Sequence, residues 1–379
     1  VMYHVKTMNK ISKIGLAELD DRFEISDTME HEDAILVRSA KLHDYDFPAE
    51  LLCIARAGAG VNNIPLDRAA EAGIVVFNTP GANANGVKEL TIAALLLASR
   101  KISQGITWVK EQAAAGADVA AVVEKGKAAY VGPEIQGKTL GVVGLGAIGV
   151  LVANAAAALG MQIVGYDPFL SVQHALNLTP GVKVVSTLEE LYGQADYISL
   201  HLPMTPETKG TLNDAAFAAM KDGVRIVNLA RGELVDTEAL KAALASGKCA
   251  AYVTDFPNSE TAAMEGVVAI PHLGASTPES EDNCAMMAAR QVRDYLDNGN
   301  IVNSVNLPVL SMAWAAKNRV CVLTKGADAA AIAAAVPAVA SASKTRGEYG
   351  YFLLDTDAQV DTDAIAALPG VLRVRVLHQ

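Results

Sequence analysis

The stretch that most constrains this chain is Thr139 to Asp167, TLGVVGLGAIGVLVANAAAALGMQIVGYD. An apolar run, a glycine turn, a long segment of small residues and a second apolar run follow in turn, which is the order strand, turn, helix, strand. Gly144, Gly146 and Gly149 stand at G-x-G-x-x-G spacing. The first permits a tight turn, the second lets the backbone come up against a pyrophosphate, and the third lets the helix pack closely on the strand. A helix starting at Ala147 and Ile148 points its free N–H groups and positive dipole end at phosphates. Asp167 ends the second strand, where a carboxylate accepts hydrogen bonds from both hydroxyls of an adenosine ribose and repels a 2′-phosphate. The stretch predicts a dinucleotide site that takes NAD rather than NADP.

Gly141 to Tyr166 carries no charge and is long enough to cross a membrane, but six glycines punctuate it and no second span exists. With 379 residues, 51% of them apolar, the chain has material for two or three domains with sizeable cores. A net charge of −11 and a pI near 5.2 give no basic field to hold nucleic acid or an anionic membrane. Cys53, Cys249, Cys284 and Cys321 are far apart, with no C-x-x-C pair, so neither a metal site nor a disulfide framework is expected. No charged segment followed by an apolar run opens the sequence, and a reduced, cytoplasmic setting is expected.

Residues 1 to about 84 alternate short apolar runs with helical stretches, which predicts a small parallel α/β unit preceding the glycine turn. Two of its strand ends look chemical. AILV runs into Arg38 and Ser39, and CIA runs into Arg56 and then Ala57, Gly58, Ala59 and Gly60. Ligands of open α/β sheets sit beyond the carboxyl ends of the strands, and a glycine-rich loop exposes N–H groups to a carboxylate. Arg38 is then a candidate grip on a distal phosphate; a solvated surface arginine is the alternative. After Asp167 the alternation of strands and helices continues through YISLHLP, RIVNLA, AAYVTDF and VVAI, predicting a doubly wound parallel sheet. A loop at His201 and Pro203 would lie over the cofactor.

Three later strand ends carry charge: Arg231 after RIVNLA, Asp255 and Glu260 after AAYVT, and His272 after VVAI. Parallel strands share their carboxyl ends, so all three face the edge that carries the glycine turn. Hydride chemistry at a carbinol carbon needs a guanidinium to hold the substrate's carboxylate or carbonyl, which Arg231 supplies. It needs an imidazole to take and return the hydroxyl proton, for which His272 suits. A carboxylate should orient the ring and favour its protonated form, the candidate being Glu260.

NLARGELVDTEAL and AIPHLGAST, with GKTLGVVGLGAIG and GYDP, resemble the D-2-hydroxyacid dehydrogenase family, and most closely its D-3-phosphoglycerate dehydrogenase branch, over essentially the whole chain. The resemblance implies an Arg, Glu and His triad at Arg231, Glu260 and His272, with Asp255 near the nicotinamide and Asp167 on the ribose. It implies further NAD contacts at His201, Pro203, Thr208, Ala230 and Gly274. Substrate contacts are implied at Arg38, Ser39, the Ala57 to Gly60 loop and Asn83. The family usually shows Asp-Val-Phe followed by Glu-Pro, whereas this chain has Thr254-Asp255-Phe256-Pro257-Asn258-Ser259-Glu260. The interval of five from Asp255 to Glu260 fits, but aligning Phe256 would put Thr254 and Ser259 in those places.

The implied architecture is a Rossmann doubly wound parallel sheet at 86–278, a flavodoxin-like discontinuous substrate domain at 1–85 plus 279–312, and a ferredoxin-like, ACT-like βαββαβ module at 317–379. The module's first loop, Thr324 to Ala329, lacks the His-x-Asn-x-Pro-Gly side chains of serine-inhibited members, so a dimerising role with lost or altered serine sensing is expected. The implied activity is NAD-dependent oxidation of 3-phospho-D-glycerate in serine synthesis, by a homodimer or homotetramer. Rival readings are a glyoxylate, hydroxypyruvate or D-lactate enzyme of the same family, and a non-catalytic NAD-sensing binding protein.

Overall fold

A computed structural model describes residues 2–379, and the chain divides into two compact units: Val1–Asn83 with Pro278–Gln379, and Ala84–Thr277.

In the first unit, β1 (Tyr3–Met8), β2 (Phe23–Ser26), β3 (Ala34–Val37), β4 (Cys53–Arg56) and β5 (Val75–Phe77) form a sheet in the order β2-β1-β3-β4-β5. Every pairing is parallel, the flavodoxin-like arrangement. Central parallel strands are covered on both faces, which is why AILV and VVF are apolar throughout. Ala34, Leu36, Cys53, Ala55 and Phe77 join one core while Ile35, Val37, Ile54 and Val76 join the other, the alternation a pleat requires. The helix Pro278–Asn298 lies on the first of these faces. Proline begins it, Glu279 and Glu281 complement its N-terminal dipole, and Cys284, Ala285, Ala288, Ala289, Val292 and Tyr295 make its buried stripe.

The second unit holds β6 (Thr139–Val143), β7 (Gln162–Tyr166), β8 (Lys183–Val184), β9 (Tyr197–Leu200), β10 (Val224–Asn228), β11 (Cys249–Thr254) and β12 (Val267–Ala269). Their order is β12-β11-β10-β9-β6-β7-β8, all parallel. Counted from β6 this is the doubly wound order 3-2-1-4-5-6 with one added strand, and it puts the reversal point between β6 and β9. Two separate cores cover its faces, Val143, Ile198 and Ile226 in one and Leu140, Val142 and Val227 in the other.

The C-terminal strands β13 (Asn318–Lys325), β14 (Ala340–Arg346), β15 (Tyr349–Thr356) and β16 (Val371–His378) form an antiparallel sheet, β14-β15-β13-β16, with the ferredoxin-like βαββαβ connection. Val320, Val322, Phe352 and Leu354 face the module's own short helices with Ile332 and Ile365. Cys321, Leu323, Tyr351, Leu353 and Leu377 face the other way and share one core with Phe77, Tyr295 and Leu296. The module, expected as a separate unit, therefore packs its second face into the first unit, because both faces of β13 are apolar and each must be covered. Arg319, fully buried, secures the junction. Its guanidinium grips the buried Asp355 at 2.7 and 2.9 Å and donates to the carbonyls of Asn298, Met312 and Ala313.

Candidate active site

The glycine turn links β6 to the helix Ala147–Ala158. Gly144 has φ +94°, its N–H donates to the Tyr166 carbonyl at 2.8 Å, and a Cβ there would run into the His201 carbonyl. A Cβ on Gly149 would collide with the Gly144 carbonyl, whereas one on Gly146 would meet open space. Close packing thus demands the first and third glycines, while the second borders room for a ligand. No side chain caps this helix, so its leading N–H groups are available to an anion. Asp167 is fastened to the turn: its two carboxylate oxygens accept from the N–H groups of Leu145 and Phe169, each at 2.8 Å. Each oxygen keeps a lone pair for a ribose hydroxyl. The residues present fit NAD on geometry alone.

His201 follows β9, with its ring 2.8 Å from the Ser199 hydroxyl. Burial lowers its pKa to about 4, so it is a neutral wall of the site rather than an acid or base. Thr208 donates to the Pro203 carbonyl at 2.6 Å and accepts from the Thr205 N–H, which ties that loop to itself.

At the end of β10 the buried Asn228 donates to the Arg231 carbonyl at 2.8 Å and accepts from the Ala230 N–H. That fixes the turn which presents Arg231. The Arg231 guanidinium lies 5.2 Å from the centre of the Phe256 ring, and the His272 ring lies 4.3 Å from the same centre. One aromatic side chain thus holds the guanidinium and the imidazole in a single neighbourhood. Asp255, 1% exposed, accepts from the Gly274 N–H at 3.1 Å. Burial raises its pKa, while the Gly274 hydrogen bond and the charge of His272 pull it back down.

Glu260 is not brought to this group. Asn258 caps the short helix Ser259–Ala262 through a reciprocal bond with Thr261, and this turns Glu260 outward, 3.9 Å from Lys241 with both side chains exposed.

In the first unit, Arg38 and Arg56 come from adjacent strand ends, Val37 pairing with Arg56 in the sheet. The Arg56 Nε donates to the Arg38 carbonyl at 3.0 Å, and Arg38 meets Glu281 at 2.6 Å. Gly58 leaves room for Arg56, since a Cβ there would lie 2.5 Å from its guanidinium. The loop is braced by Thr79 on the Gly58 N–H and by Asn78 on the Ala59 carbonyl, both at 2.8 Å. Ser39 donates its N–H to Asn9, and Asn83 directly precedes the helix Ala84–Ser99. Sequence reasoning passed over Arg56 as a site residue. Its signal was a second arginine at the carboxyl end of a buried strand, beside the first.

A parallel sheet with an uncapped glycine turn at its reversal point and an acid on the following strand defines an NAD-binding α/β domain. Residues 92–274 match the D-isomer specific 2-hydroxyacid dehydrogenase NAD binding domain, so this part of the chain is a domain of that family. It is 38% identical over 291 residues to the D-3-phosphoglycerate dehydrogenase of Rattus norvegicus, covering 74% of this chain and 52% of that protein. It is 36% identical over 329 residues to that of Bacillus subtilis (strain 168), covering 82% and 60%. The chain thus spans about half the length of the curated relatives it matches. The NAD+-bound 3-phosphoglycerate dehydrogenase of Entamoeba histolytica superposes with a TM-score of 0.62 at 28% identity, covering 82% of this chain and all of that one.

Proposed function

We propose that the protein oxidises the 2-hydroxyl of 3-phospho-D-glycerate to give 3-phosphohydroxypyruvate, NADH and a proton. The observation that carries this reading is the placing of Arg231 and His272 on one Phe256 ring, in the same unit as the NAD turn. NAD, when bound, supplies the hydride acceptor. Arg231 holds the substrate's carboxylate and polarises the developing carbonyl with two parallel N–H donors. A ring nitrogen of His272 takes the hydroxyl proton as the C–H bond breaks, and returns it in the reverse reaction. Two arginines at adjacent strand ends, Arg38 and Arg56, suit a phosphate dianion, which supports a phosphorylated substrate over glyoxylate or lactate. The relatives' names support the same choice.

The ferredoxin-like module supports a homo-oligomer without serine control. Four buried, unpaired cysteines, with Cys53 and Cys249 pushed up to about 12 by burial, suit a reducing cytoplasm. The test is steady-state reduction of phosphorylated and unphosphorylated 2-keto acids, followed by NADH absorbance. The phosphate should raise kcat/KM by roughly 10–100-fold, as expected for one or two charge-assisted contacts. Equal rates with both would remove 3-phosphoglycerate as the substrate.

A further inference from the structure

We infer that Phe256 is the positioning residue of this site, its ring setting His272 and Arg231 in the geometry for which a carboxylate at Glu260 was expected. The inference rests on the dehydrogenase reading above and deepens it. Register, anchoring and contact each carry part of it.

The register makes Phe256 the middle of three. Asn228, Thr254 and Ala269 stand side by side at the ends of β10, β11 and β12. Arg231 lies three residues past the first, His272 three past the third, and Phe256 two past the middle one. The two outer strands are about 10 Å apart, twice the spacing of neighbouring strands. A side chain on the middle loop is flanked by both outer loops and can bridge them, as a side chain on either outer loop cannot.

The ring is itself anchored. Thr254 is fully buried, and its hydroxyl accepts from the Phe256 N–H at 3.0 Å, which fixes the chain as it leaves the sheet. Gly232 lets the neighbouring loop close up on it, since a Cβ there would stand 3.1 Å from the Phe256 carbonyl and 3.6 Å from the Phe256 Cβ. Phe256 is half-buried, whereas the Arg231 and His272 that lean on it are exposed. An exposed side chain keeps its rotamer freedom unless something rigid lies against it.

The contacts are of the kind that orient without consuming donors. The imidazole is tilted 45° to the Phe256 ring with the centres 4.3 Å apart, and the Arg231 guanidinium lies 5.2 Å from the same centre, within reach of cation–π attraction. A carboxylate partner would occupy one imidazole nitrogen; a phenyl ring occupies neither, so both stay open to a substrate hydroxyl or to water. Arg231 is further tethered by the 2.7 Å bond from Nη1 to the Ala230 carbonyl, and its fork retains N–H donors for a carboxylate. Glu260, meanwhile, is turned by the Asn258 cap towards Lys241, beside a cavity that neither Arg231 nor His272 borders. Phe256 acts on the reaction only through the two side chains it holds.

The experiment joins histidine NMR to steady-state kinetics on the full chain. In the wild type the His272 ring protons, assigned by their loss in His272→Gln, should show a nuclear Overhauser effect to ring-labelled phenylalanine, an observation that needs no variant to fold. Phe256→Leu keeps the bulk and removes the ring: the His272 signals should shift as the ring current is lost, and kcat/KM should fall ~10–100-fold, the cost of misplaced reacting groups, with the NADH Kd little changed. Phe256→Tyr should restore both signals and rate. In a His272→Gln background Phe256→Leu should lower kcat little further, because the group it orients is gone. Glu260→Gln should leave signals and kcat unchanged. Full activity in Phe256→Leu, a fall of kcat in Glu260→Gln, or a wild type without the Overhauser effect would each overturn the inference. Because the NMR needs no substrate, an inactive wild type that shows the effect would refute the choice of substrate and not the contact.

Discussion

The two parallel sheets of this molecule offer an anion two different kinds of holder. In the seven-stranded sheet the holder is backbone: Gly144 to Gly149 present N–H groups and a helix end, and the side chain fastened to that turn is a carboxylate, Asp167. In the five-stranded sheet it is side chains, Arg38 and Arg56, projecting from neighbouring strand ends beside Glu281. A backbone holder recognises the pyrophosphate that every NAD shares, and its geometry is set by where a Cβ cannot be tolerated. A side-chain holder is open to adjustment, and under the proposed function it is where preference among substrates would be set.

The contrast can be broken most severely at Gly149. Its replacement by Ala drives a Cβ into the Gly144 carbonyl. We expect a loss of roughly 1–3 kcal/mol in stability from the overpacking, with NADH binding weakened beyond measurement. Gly146→Ala, which meets open space, should keep the thermal midpoint of the wild type and weaken NADH binding by about 10-fold or more. Calorimetry with and without NADH separates the two; equal midpoints for both variants would show that the turn is not packed as described.

The side-chain holder should fail in the complementary way. Arg56→Ala should raise KM for the phosphorylated substrate about 10–100-fold with NADH affinity unaltered. Arg38→Ala should raise the same KM, with the Glu281 carboxylate left without its arginine. A KM that rises equally for an unphosphorylated keto acid would transfer the pair from the phosphate to some other group.

The last effect concerns pH and His201, whose pKa of about 4 in the fold lies below the ordinary 6.5. The fold favours the neutral ring, so this contribution is complete above pH 6.5 and is lost as the pH falls towards 4. Urea unfolding should show the wild type losing about 3 kcal/mol more stability than His201→Gln as the pH falls from 7 towards 4. Superimposable pH curves for the two proteins would contradict it.

How much of this was legible in the sequence follows the same division. The NAD turn could be read from Gly144, Gly146, Gly149 and Asp167, because a backbone site is written as spacing along one continuous segment. The Arg231 and His272 loops were legible as strand ends sharing an edge, and Phe256, which joins them, was not, since nothing in the chain order shows one ring reaching two loops. Glu260 kept the expected interval from Asp255, yet a local cap at Asn258 decided its direction, and capping overrides spacing within one turn. The pairing of Arg319 with Asp355 joins residues on neighbouring strands, and only the sheet register, where they stand opposite each other, reveals it. RVCVLT, apolar at successive positions, did carry the sign that β13 is covered on both sides.

Tyr351 and Arg375 of the terminal sheet donate to the carbonyls of Gly299, Tyr295 and Leu296, and Leu377 closes the core around Tyr295. On the ribosome, the cofactor half has all its parts once Thr277 has emerged. The other unit must wait: the face of β3 and β4 that carries Leu36 and Ala55 is covered only when the helix Pro278–Asn298 arrives, and its core is closed later still by Leu377. Strands β3 and β4 therefore carry an uncovered apolar face through the synthesis of the whole cofactor unit, Ala84–Thr277.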